Sequence, residues 1–84
     1  MKALDIARLR RLVDTISNLL ADESQTARGV IGHLVEVEGA GLTEGAEYRL
    51  RLAGVTTTCT AGHHGLLRNW QNAARRQIER RVGE

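Results

Sequence analysis

Cys59, His63 and His64 fall within one six-residue stretch, and all three are residue types that ligate metals or act as nucleophile and base. Zinc prefers Cys and His, but it takes four ligands, usually in closely spaced pairs. Here the chain has a single cysteine, and the third histidine, His33, lies far upstream. A Cys/His catalytic pair needs an accessible thiolate and a group that orients the base. The strand alternation described below directs Cys59 into the core, and no carboxylate stands beside the histidines in sequence. The glycines of "GAGLTEG" (Gly39–Gly45) do not follow G-x-G-x-x-G and do not lead into a helix, so they form no phosphate loop. The sequence therefore points to no catalytic residue, no cofactor site and no metal site, and the protein is expected not to be an enzyme.

A second kind of chemistry is phosphate recognition. Arg68, Arg75, Arg76, Arg80 and Arg81 crowd the last segment, and eleven of the twelve basic residues of the chain are arginine. Arginine presents a planar fork of donors that suits phosphate. The net charge is only +2, but it is unevenly spread. Residues 22–47 carry six acidic residues and one arginine, whereas residues 48–84 carry seven arginines and two glutamates. Glu79 interrupts the basic face, and no exposed aromatic residue is expected for stacking on single strands. These five arginines are the candidate nucleic-acid contacts, with His64 beside them.

The elements that must position these residues show in the hydrophobic spacing. Ile6, Leu9, Leu12, Val13, Ile16, Leu19 and Leu20 fall on one stripe at helical spacing, which predicts an amphipathic helix over residues 3–21. "ADESQTARG" (Ala21–Gly29) reads as a polar linker. In "VIGHLVEVEG" (Val30–Gly39) the alternation of Val35 and Val37 with Glu36 and Glu38 predicts a strand, with His33 toward the core side. "AEYRLRLA" (Ala46–Ala53) alternates with Tyr48, Leu50 and Leu52 inward and Arg49 and Arg51 outward. Arg49 and Arg51 would then face Glu36 and Glu38 across the strands. Ala53–Gly54 suits a two-residue hairpin turn, which would set Leu52 opposite Val55, Leu50 opposite Thr57 and Tyr48 opposite Cys59. A single bent strand over residues 46–60, with a bulge at Gly54, is the other way to join these residues. Thr60 can cap a last helix. From His63 that helix turns Leu66, Leu67, Trp70, Ala73, Ala74 and Ile78 to one side and Arg68, Asn72, Arg75 and Glu79 to the other.

The expected fold is α+β over residues 1–84 as one domain. The order is α-β-β-β-α: a three-stranded antiparallel sheet with two helices packed on one face. On the open sheet face Val30 and Leu34 would be the only apolar residues left uncovered, which makes them candidates for self-association as a weak homodimer. Only 2% of the residues are aromatic and none is Phe, so the core must be Leu, Ile, Val and Ala. With one cysteine the chain reads as a reduced, cytoplasmic protein. The N-terminus lacks a signal peptide's apolar run, and no stretch is apolar enough to span a membrane, so no membrane partner is expected.

The α-β-β-β-α order resembles that of the double-stranded-RNA-binding domain. That family carries a Gly-Pro-His type loop and a Lys-rich start to its second helix, where this chain has "GAGLTEG" and "AGHHGLLRNW". None of that family's functional residues therefore carries over. "VTTTCTAGHHGLLRNWQNAARRQ" looks like the C-terminal half of small prophage-encoded proteins of unknown function, which implies a mobile-element origin and no defined activity. The function expected is a non-enzymatic interaction or structural protein with an unknown protein partner. Nucleic-acid binding through the last helix is the alternative.

Overall fold

Asp5 starts the first helix. Its side chain accepts the backbone N–H of Arg8 at 3.0 Å and so satisfies one of the donors that a helix start leaves free. The computed structural model describes residues 5–82, with the side chains of residues 81 and 82 outside the description. Helix α1 runs Ile6–Ala21 and buries Leu9, Leu12, Val13 and Ile16, the stripe that the spacing predicts. Residues 3 and 4 of the expected helix lie outside the described residues. After α1, the Asp22 carboxylate accepts both the N–H and the hydroxyl of Ser24, at 2.9 and 2.8 Å. Those bonds hold its pKa below the usual carboxylate range.

The segment expected as linker and first strand is a helix. α2 spans Ala27–Glu38. Thr26 caps it by accepting the N–H of Gly29 at 3.0 Å, and Gly39 ends it in the left-handed region at φ 73°. Val30, Ile31 and Leu34 recur at helical spacing and are buried, with Val30 and Leu34 at 0% exposure. This corrects the self-association surface: Val30 and Leu34 are core residues. Of the residues that alternation turns inward, Ile31 is buried, whereas His33, Val35 and Val37 are exposed. Valine and glycine are poor helix formers, so packing rather than propensity sets this helix.

Glu38 consequently faces α1, not the sheet. Its two carboxylate oxygens accept from Arg11 at 2.9 and 3.0 Å. The Arg8 guanidinium donates to the Glu38 backbone carbonyl at 2.9 Å, satisfying a free acceptor at the end of α2. The expected pairing of Glu36 and Glu38 with Arg49 and Arg51 does not occur.

The sheet is antiparallel in the order β1-β2-β3, with β1 at Gly41–Thr43, β2 at Tyr48–Leu52 and β3 at Val55–Cys59. β1 lies within the stretch expected as a connection. β2 and β3 form the expected hairpin, not a bent strand: Leu52 faces Val55, Leu50 faces Thr57 and Tyr48 faces Cys59. Ala53 and Gly54 turn the chain at φ 52° and 80°, and positive φ at both positions is the turn that matches strand twist. Arg49 and Arg51 lie opposite threonines of β3, on the sheet's solvent face.

Helix α3 spans His63–Val82. Its first hydrogen bond runs from the N–H of Leu66 to the Gly62 carbonyl, so Gly62 takes the cap position expected for Thr60. α3 lies on β2 and β3 and meets α1 and α2 on another side. α1 packs on α3 and α2, which corrects the arrangement of two helices side by side on the sheet. The fold is α+β, with three helices among the described residues in the order α-α-β-β-β-α. The α-β-β-β-α order expected over the whole chain therefore holds only from α2 to α3, with α1 added before it. No described helix is long and apolar enough to cross a membrane.

Candidate nucleic-acid interface

Three successive residues fix the rotation of α3. The Asn69 side chain donates to the Thr58 carbonyl of β3 at 3.0 Å. The Trp70 indole N–H is shared between the Leu52 and Val55 carbonyls at the mouth of the hairpin, 3.2 Å from each. The Gln71 amide donates to the Val13 carbonyl of α1 at 3.0 Å and to the Ser17 hydroxyl at 2.9 Å. Successive helical side chains point about 100° apart, so these three reach three different neighbours. Trp70 is completely buried and Gln71 nearly so, at 4% exposure. The side of α3 opposite Trp70 is thereby held toward solvent.

That free side carries the basic residues. His64, Arg68, Asn72, Arg75, Arg76 and Arg80 are all exposed, as is Glu79. None of the four arginines forms an ion pair among the described residues; the arginines that do, Arg8 and Arg11, serve Glu38. Arg81 falls in the last turn of α3, and its side chain lies outside the described residues. From Arg68 to Arg80 the basic face runs about 18 Å along the axis at 1.5 Å per residue.

Two open grooves border the face. One, of about 430 Å³, lies between α3 and the end of α1, with Ser17, Leu20, His64, Arg68, Gln71 and Arg75 among its walls. The other, of about 320 Å³, lies between α3 and β3 and is walled by Thr56, Thr57, Thr58, Asn69, Asn72 and Arg76. In the second groove the Thr57 hydroxyl is buried without a hydrogen-bond partner among the described residues.

The cysteine and histidines do not form a centre. Cys59 is half-buried, and its sulfur accepts the N–H of Ala61 at 3.2 Å. His63 stacks on Tyr48 with ring centroids 4.8 Å apart, and its Nε2 lies 3.0 Å from Oε2 of Glu44. His64 points to solvent on the basic face, and His33 is exposed on α2. Among the described residues no group of three His, Cys, Asp or Glu is placed to hold a metal ion.

Sequence reasoning located the arginines but missed the residues that aim them. Asn69 and Gln71 flank the tryptophan, and the signal for Gln71 is its place at the edge of the apolar stripe of α3, beside Ile78. No family model, no curated protein and no solved structure matches this chain.

Proposed function

We propose that this protein is a non-enzymatic binding domain that holds nucleic acid through the solvent face of α3. The observation that carries this reading is the placement of Arg68, Arg75, Arg76 and Arg80 on one exposed helix face, free of described acidic partners. Unpaired surface arginines attract phosphate because each contact releases condensed counterions. The asymmetry of charge adds to it: the acidic residues concentrate in α2 and the loops before β2, Glu44 facing His63 at the start of α3 and none of them paired with an arginine of its solvent face among the described residues. The only two aromatic residues are committed elsewhere, Trp70 to the core and Tyr48 to His63, so no platform for unstacked bases accompanies the arginines. That favours a duplex over a single strand.

Fluorescence anisotropy with a labelled mixed-sequence duplex tests this. With about four phosphates contacted, affinity falls roughly a hundredfold between about 50 and 200 mM salt. Joint replacement of Arg68 and Arg75 by alanine weakens binding and flattens the salt dependence. Absence of binding at the lower salt rules the function out.

A further inference from the structure

The geometry points to α3 as a helix that enters the major groove of B-form DNA, an inference that rests on the nucleic-acid function proposed above. At about 100° per residue, the exposed residues of α3 cover an arc of roughly 160°. Their order around that arc is what decides the mode of docking. Arg68 and Arg75 stand on the shoulder that borders the α1 groove. Arg76 stands on the shoulder that borders the β3 groove, with Arg80 one turn further along the same side. Glu79 lies between the two shoulders and forms the crest, and Asn72 stands beside it on the flank that walls the β3 groove.

The recesses on both sides leave α3 as a ridge between two basic rails. A helix with its side chains is about 10–12 Å across, and the B-DNA major groove is about 12 Å wide. With the ridge in the groove, the two strands' phosphates pass along the two arginine shoulders, and the crest meets the base edges. Asparagine pairs with the adenine edge, and a carboxylate accepts from the cytosine amino group. Glu79 separates this mode from simple contact with one strand's backbone. Lying on phosphates, a carboxylate at the crest is repelled; among base edges it finds amino donors. A-form RNA has a deep, narrow major groove that side chains cannot read, so an RNA duplex does not accept the ridge.

The test uses the full chain and anisotropy at one salt concentration, with a DNA duplex and an RNA duplex of the same sequence, and then Glu79→Gln. The expected result is binding to DNA at least about tenfold tighter than to RNA, displaced by the major-groove ligand methyl green and not by the minor-groove ligand netropsin. E79Q is expected to change which base pairs are preferred across a panel of duplexes. Equal or tighter binding to RNA, displacement by netropsin alone, or a uniform gain in affinity for all duplexes with E79Q would overturn groove entry and leave the proposed function standing. Failure to bind either duplex removes both.

Discussion

The Gln71 side chain donates to the backbone carbonyl of Val13, 58 residues earlier in the chain, at 3.0 Å. This contact ties the helix that carries the arginines to the helix that begins the fold. Its second donor bond, to Ser17, spends the other amide hydrogen on α1 as well. Neutral hydrogen bonds are worth about 1 kcal/mol each, and a truncated buried side chain adds a packing loss. Gln71→Ala is expected to destabilise by about 2–3 kcal/mol and Gln71→Met, which keeps the volume, by about 1 kcal/mol. Urea midpoints of the two variants measure this, and unchanged midpoints in both would mean that the link carries no stability.

Thr57 illustrates the opposite case. Its hydroxyl is buried with no partner among the described residues, on the strand face that looks toward α3. Valine has nearly the same shape without the oxygen. Thr57→Val is expected to raise stability by about 1 kcal/mol, because an unsatisfied buried polar group costs roughly 1–3 kcal/mol. Thermal unfolding of the variant checks the sign; a lower midpoint would show that the hydroxyl is satisfied in solution.

Ala53 holds φ at 52° in the hairpin turn, a conformation that costs an alanine about 1–2 kcal/mol. Ala53→Asn creates the Asn-Gly pair that this turn prefers. A gain of about 0.5–1 kcal/mol in chemical unfolding is the expected outcome. A loss would mean that the turn relaxes to another type.

Glu38 gives the fold a definite pH dependence. The hydrogen bond from Arg11 is the main cause that holds its pKa below the ordinary glutamate value, against the opposing effect of burial. The depressed folded-state pKa means that the contact contributes fully above the unfolded value, about 4.3, and is lost as pH falls through the folded value. Glu38→Gln should therefore lower the urea midpoint at neutral pH, and the gap to the natural sequence should close in acid below both values. A gap of constant size across that range would assign the effect to packing instead of charge.

Legibility in the sequence followed the strength of each pattern. The Leu52–Val55 register and the Ala53–Gly54 turn were readable because period-two alternation runs unbroken on both sides of a two-residue turn. The face of α3 was readable because apolar residues recur along it at helical spacing. Within α2, Val35-Glu36-Val37-Glu38 imitates a half-buried strand. Val30 and Leu34, four apart, were the helical signal, and Thr26 and Gly39 the boundary signals. Local alternation lost there to packing against α1 and α3. The arginines of the candidate site were visible as a cluster. Their common direction depends on what Asn69, Trp70 and Gln71 hold on three sides, and those partners lie far away in the chain.

An amide fingerprint NMR titration of the labelled protein with a DNA duplex at low salt tests the role of α3 most directly. Binding at its solvent face should move the backbone signals of residues 64–80 selectively, with added salt reversing the shifts. A spectrum unchanged by the duplex, or shifts confined to α2 and the β1–β2 loop, would contradict that role.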